Sequence, residues 1–270
     1  MATLLRLTRT LRSPLRPLSP KVPSQFFSPS PLRSSLSRRQ LWTNQGPSSR
    51  YFNASNEPAN LKVLYALMGV NVAIFGYGQY LFTAAQQGHV KGWINFNRNM
   101  TLNLEDFKNG RWWPLLTSCF THTNLMHLGS NMLSVYFLGG MLAASPAITP
   151  VHFLTIAVGS GLAGSALYLA NRYRQVKERG TRDYTRGLGF SGAFMGISSV
   201  AACLMPRMKV AIWGIVPIPL WGLVVAYAAY DGYYLSSTDT RVAHAGHLGG
   251  LAFGIVYYLA RLRGLKVSRW

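Results

Sequence analysis

The chain has 270 residues, of which 49% are apolar and only 13% charged, with a formal net charge of +20. That charged share is about half the value usual in soluble domains, and the apolar residues gather in runs close to the roughly 20 needed to cross a hydrocarbon core. These features argue against a soluble bundle and predict an all-α integral membrane protein.

The charge is unevenly spread. Residues 1–50 hold nine basic residues and no acid, together with ten serines and seven prolines. That much proline is incompatible with a packed helix. Leu4, Leu7, Leu11 and Leu15 recur at helical spacing and alternate with Arg9, Arg12 and Arg16. An Arg- and Ser-rich, acid-poor, amphipathic leader is the pattern of a mitochondrial transit peptide, and it lacks the continuous apolar core of a secretory signal. The competing reading is a disordered basic tail that binds anionic lipid or nucleic acid. We assign 1–52 as this disordered leader, with cleavage expected between Arg39 and Phe52, and 53–270 as the folded domain.

Six helical segments are predicted after the leader, at about 63–82, 124–144, 149–170, 189–205, 214–235 and 243–260. The connection 84–114 is too polar to span, but Trp93, Phe96, Trp112 and Trp113 suit the membrane interface. A basic loop covers 171–186, and Arg261, Arg263, Lys266 and Arg269 close the chain. Basic residues are shared about equally between the two sides, so charge sets no orientation. After the leader the basic surplus suits loops lying on anionic lipid and makes no nucleic-acid footprint. Cys119 and Cys203 form no metal or redox motif.

Few ionisable groups fall inside these segments, and each invites a functional reading. His127 and Asn131 are four apart, hence on one helix face. Ser191 lies in Gly189-Phe190-Ser191-Gly192, followed by Gly196. His247 begins His247-Leu-Gly-Gly250, followed by Gly254. His127, Ser191 and His247 fall near the starts of the second, fourth and sixth segments, which enter the membrane from one side. They are therefore expected at one depth, within roughly 10 Å of that surface. Gly192 and Gly196, like Gly250 and Gly254, sit one turn apart and let helix backbones pack closely. A serine hydroxyl needs a base, and His247 can serve near neutral pH. No acid lies in the second, third, fourth or sixth segment, and Asp231 falls at a polar boundary. A Ser191–His247 dyad is thus expected, with His127, Asn131 and the Ser191 N–H as oxyanion donors. His244 reads as an interfacial or loop histidine.

These three motifs, in this order, resemble those of rhomboid proteases, and Arg111-Trp112-Trp113 is similar to the family's approach to its second helix. The resemblance covers about 63–260. It implies a six-transmembrane-helix rhomboid-like bundle whose Ser–His dyad cleaves the transmembrane anchors of membrane protein substrates, with no metal or cofactor. With the leader it implies a multi-pass protein of the mitochondrial inner membrane, its site open to the intermembrane space. Two positions depart from the family pattern. Met195 stands where many members pack an aromatic on the catalytic histidine, and Gly246 stands where alanine is common. The rival within the family is an inactive relative that binds transmembrane clients; such relatives typically lack the serine or the histidine, and both are present here. A soluble α/β hydrolase would need glycine where Ala193 stands. A metalloprotease would need His-Glu-x-x-His, which does not occur.

Overall fold

Caps, prolines and left-handed glycines set most helix boundaries in this chain. The computed structural model describes residues 55–180, 182–212, 215–237 and 242–264. The leader expected over 1–52, and its junction with the domain at 53, lie outside the described residues.

Helix α1 (Glu57–Gln86) opens with Pro58 in its first turn and ends before Gly88, whose φ of 98° no other residue adopts easily. The connection that follows is itself largely helical. It forms α2 (Val90–Met100), α3 (Leu104–Lys108) and α4 (Pro114–Thr117), then a 3₁₀ turn at Ser118–Phe120. Helix α2 buries only Phe96, with Trp93 stacked on it at 5.8 Å, as suits a helix lying along an interface. Helix α5 (Leu125–Ala143) is capped by Asn124, whose side chain accepts from the His127 N–H at 2.9 Å. Helix α6 (Pro150–Arg179) starts on a Thr149 cap and a proline, and stops at Gly180 with φ 62°.

Helix α6 corrects the loop expected over 171–186, because the helix continues to Arg179. Its polar last turns are satisfied by neighbours: the Arg172 guanidinium grips Asp183 at 2.6 and 3.1 Å and also meets Gln175. Helix α7 (Ser191–Leu204) follows, then α8 (Leu220–Tyr233) and α9 (His244–Tyr257), the last continued by a π turn at Tyr258–Leu262. The fifth expected segment, 214–235, is also corrected. Its first residues form β2 (Val216–Pro219), paired antiparallel with β1 (Lys209–Ile212), so that α8 starts only at Leu220. Val210, Ile212, Val216 and Ile218 have the two-residue period of a strand, and prolines are tolerated at such an edge.

The described residues are therefore predominantly helical, with helices at each of the six expected segments and one short hairpin. Two of them, α1 and α6, each of 30 residues, are long and apolar enough to cross a membrane by length and composition. The apolar core lies where α1, α5, α6, α7 and α8 meet, while α6, α7 and α9 approach each other most closely. Phe153, Ile156, Ile197 and Val200 are fully buried in that core. Small residues permit the close approach: a Cβ on Gly164 would come within 2.6 Å of the Gly246 carbonyl oxygen and 3.6 Å of Gly192 Cα. On the other flank, Asn60 of α1 donates to the carbonyls of Ala143 and Ile148, each at 2.9 Å, and so fastens α1 to the α5–α6 turn.

Candidate active site

Three helix N-termini converge at one level. His127 is in the first turn of α5, Ser191 is the first residue of α7, and His247 is in the first turn of α9. Ser191 thus lies a little earlier in its helix than the expected start at 189 implies. Its backbone N–H is among those that an α-helix leaves without an internal acceptor, at the positive end of the helix dipole.

The turn leading into α7 is built to deliver this serine. Gly189 has φ 121°, and a Cβ there would meet the His127 ring at 3.0 Å, so both backbone and space require glycine. Its N–H donates to the Ser118 carbonyl at 2.9 Å. Upstream, Gly187 pairs with Leu102 through two backbone bonds of 2.7 and 2.8 Å. Asn103 donates to the carbonyls of Asp183 and Thr185, and Arg186 reaches Asp106 at 2.8 Å. The loop carrying the candidate nucleophile is therefore stitched to the connection between α1 and α5. Asp183 is buried within this network. Burial pushes its carboxyl up, but the Arg172 guanidinium and the Thr185 hydroxyl and N–H outweigh that and hold it below the usual carboxylate range.

Ser191 Oγ stands 2.8 Å from His247 Nε2. The close contact of α7 and α9 makes this reach possible. A Cβ on Gly250 would overlap the Gly192 carbonyl, and one on Gly254 would meet the Gly196 carbonyl at 2.5 Å. Gly196 in turn admits the Ser160 side chain where its own Cβ would be. The glycines singled out in the sequence, Gly189, Gly192, Gly196, Gly250 and Gly254, all lie against neighbouring atoms of this site or its supporting helices.

The expectation that the histidine has no carboxylate partner is corrected. Asp231, in the last turn of α8, lies 3.0 and 3.1 Å from His247 Nδ1 and is 2% exposed. The boundary position read from the sequence is in fact buried against α9. A carboxylate facing Nδ1 fixes the proton there, so Nε2 is free to accept from the Ser191 hydroxyl. His244 is corrected too: it is 3% exposed, and its Nδ1 lies 2.7 Å from the same carboxylate. Neither partner was legible as a motif, because Asp231 is thirteen and sixteen residues from the two histidines.

His127 and Asn131 sit one above the other, as their spacing requires. The Asn131 Nδ2 donates to the His127 carbonyl at 2.8 Å, using one of its two N–H bonds. The His127 ring packs edge-on to His122 at 4.9 Å. His122 lies in the connection before α5 and accepts from the Phe190 N–H at 3.4 Å. Burial, with His127 alongside, pushes its imidazole down to about 4, so it stays neutral and keeps that acceptor. Met195 is buried in α7 at 4% exposure. Such a group of serine, histidine and carboxylate, beside N–H groups of a helix first turn, can carry out acyl transfer.

A family model described as "Rhomboid domain" matches residues 109–264. Among curated proteins, the chain is 30% identical over 184 residues to RHOMBOID-like protein 12, mitochondrial, of Arabidopsis thaliana, an overlap of 63% of this chain and 54% of that one. It is 29% identical over 213 residues to Rhomboid protein 1, mitochondrial, of Saccharomyces cerevisiae, covering 78% and 55%. It is 28% identical over 231 residues to Rhomboid protease AarA of Providencia stuartii, covering 80% and 78%. The chain spans about half the length of the first two of these relatives.

Proposed function

Since the chain belongs to the Rhomboid family, we propose that it is an intramembrane serine endopeptidase that cleaves the transmembrane anchors of membrane proteins. The observation that carries this reading is the 2.8 Å contact of Ser191 Oγ with His247 Nε2 at a helix N-terminus. Ser191 attacks the scissile carbonyl as His247 takes the hydroxyl proton. The resulting oxyanion is held by the Ser191 N–H and by the side chains of His127 and Asn131, each donor contributing about 3–4 kcal/mol. His247 then passes the proton to the leaving amine, and water releases the acyl enzyme by the same steps in reverse. Asp231 orients His247 and stabilises the imidazolium formed on the way, in place of the unaided dyad read from the sequence. It supplies ring support that does not depend on an aromatic at Met195.

The helices at the six apolar segments are read as six membrane crossings, with the bilayer and its embedded proteins as partners and no cofactor needed. The leader over 1–52 and the mitochondrial names of two relatives support delivery to the mitochondrial inner membrane. The test is a fluorophosphonate probe on the detergent-solubilised protein. Labelling of the wild type, absent in Ser191→Ala and His247→Ala, is expected. A folded wild type that labels no more than Ser191→Ala would overturn the protease reading in favour of an inactive, client-binding one.

A further inference from the structure

Asp231 is clasped by two histidines, of which the reaction needs only one. Its Oδ1 lies 2.7 Å from His244 Nδ1 and 3.0 Å from His247 Nδ1, and its Oδ2 lies 3.1 Å from His247 Nδ1. His244 and His247 are three apart on α9, so both rings turn towards the last turn of α8. His244 is wedged there, stacked on Tyr234 at 5.6 Å and 24° and edge-on to Tyr230 at 5.6 Å. The turn that carries Tyr234 is tied to α6, with Asn171 donating to the Leu235 carbonyl and Arg174 to the Ser236 hydroxyl. A ring so placed is held as firmly as the catalytic one, yet it does not touch Ser191.

We infer that His244 is a positioning residue, which holds the Asp231 carboxylate against His247 Nδ1 and thereby keeps His247 in the tautomer that can accept the Ser191 proton. A carboxylate 2% exposed persists only while its oxygens are hydrogen-bonded. His244 is one of its two donors. Without it, the carboxylate is free to turn away from Nδ1, and the single proton of neutral His247 is no longer fixed on that nitrogen. With that proton on Nε2, His247 presents a donor, not a lone pair, to Ser191. Among the described residues, the other titratable and charged groups around this cluster are Tyr227, Tyr230 and Tyr234 from α8 and its turn, His127 from α5, and Tyr168 and Arg174 from α6, with Glu178 beside Arg174. Asp239 and Arg241 lie outside the described residues. The inference rests on the protease reading above.

The test compares fluorophosphonate labelling rates of the full chain in detergent from about pH 5 to about pH 9, where general-base profiles are read. Wild type, Ser191→Ala, His244→Phe and His244→Asn are compared. Phenylalanine keeps the stacking and removes the donor; asparagine returns an N–H near the Nδ1 position. His244→Phe should label about tenfold more slowly, the value of one charge-assisted hydrogen bond. His244→Asn should recover to within about threefold of wild type, the remainder reflecting lost stacking. On an Asp231→Asn background, His244→Phe should cost nothing more, because the residue acts through Asp231. If His244→Phe does not keep the wild-type thermal transition, His244→Gln and His244→Asn make the same comparison, glutamine presenting its donor further out. Wild-type labelling at the level of Ser191→Ala sinks the protease reading. A labelled wild type matched by His244→Phe at every pH, or His244→Phe and His244→Asn equally impaired, overturns the role of His244 alone.

Discussion

Gly250→Ala adds one methyl group where the backbones of α9 and α7 meet. The new Cβ would lie 2.7 Å from the Gly192 carbonyl carbon and 3.1 Å from its Cα, with the carbonyl oxygen closer still. All three atoms are backbone, so no rotamer change relieves the clash, and α9 must move off α7 by about 1 Å. Forced overpacking of this kind costs about 1–3 kcal/mol. Ser191 adjoins Gly192, and His247 lies three residues before Gly250, so the same movement lengthens the 2.8 Å Ser–His contact. A displacement of about 1 Å in a reacting pair costs about 10²-fold in rate. Gly140→Ala is the control, since a Cβ there meets nothing within 4 Å, and helix propensity favours alanine by about 0.5–1 kcal/mol. Thermal unfolding in detergent, followed by tryptophan fluorescence, and the rate of fluorophosphonate labelling read the two effects. A Gly250→Ala protein with the transition and labelling rate of wild type would refute the tight α7–α9 contact and the reach that depends on it.

His127→Ala and Asn131→Ala should each lower turnover of a transmembrane substrate by about 10²–10³-fold with little change in KM, the pattern of a lost transition-state donor. Unchanged kcat in either would remove that residue from the oxyanion site. Asp231→Asn should lower the labelling rate by about 10²–10⁴-fold, because an amide no longer selects the Nδ1 proton on His247; a loss under threefold would return the site to an unaided dyad. Asp183 is held below its ordinary range in the folded chain, so it stabilises above the unfolded carboxylate value of about 3.9 and loses that contribution as pH falls further. Arg172→Ala should therefore lower thermal stability near pH 7, and the gap from wild type should narrow below about pH 4. A gap that stays constant across this window would mean that Arg172 contributes through packing and not through the ion pair.

The Ser191–His247 pair and its glycines were legible because each depends on local spacing. A residue four positions from another shares its helix face, and a serine between glycines has few uses inside an apolar segment. Helix ends were less legible where polar residues imitate a loop. Arg172, Arg174 and Gln175 look solvated in sequence, yet the first and last are consumed by Asp183 and by each other, so α6 runs on to Arg179. The second strand of the hairpin, Val216–Pro219, was absorbed into an apolar run, since hydrophobic content alone does not separate a strand from a helix. Asp231 and His244 escaped for a different reason. Their meeting depends on how the turn after α8 folds back onto α9, and nothing in the spacing of an intervening loop encodes that return.

Helix α7 is 14 residues long, which at about 1.5 Å per residue is about 21 Å, some 9 Å less than a hydrocarbon core of about 30 Å. A helix that begins at its own reactive residue and is this short cannot carry that residue to both faces of a bilayer. If, as proposed, α7 crosses the bilayer with Leu204 at one surface, Ser191 ends within the thickness of the lipid, beside the loop that Leu102 and Asn103 hold down. Hydrolysis consumes one water per bond cut, and lipid supplies none. On the protease reading, the missing two turns of helix are the space through which an aqueous reagent descends to meet a substrate arriving sideways from the oil.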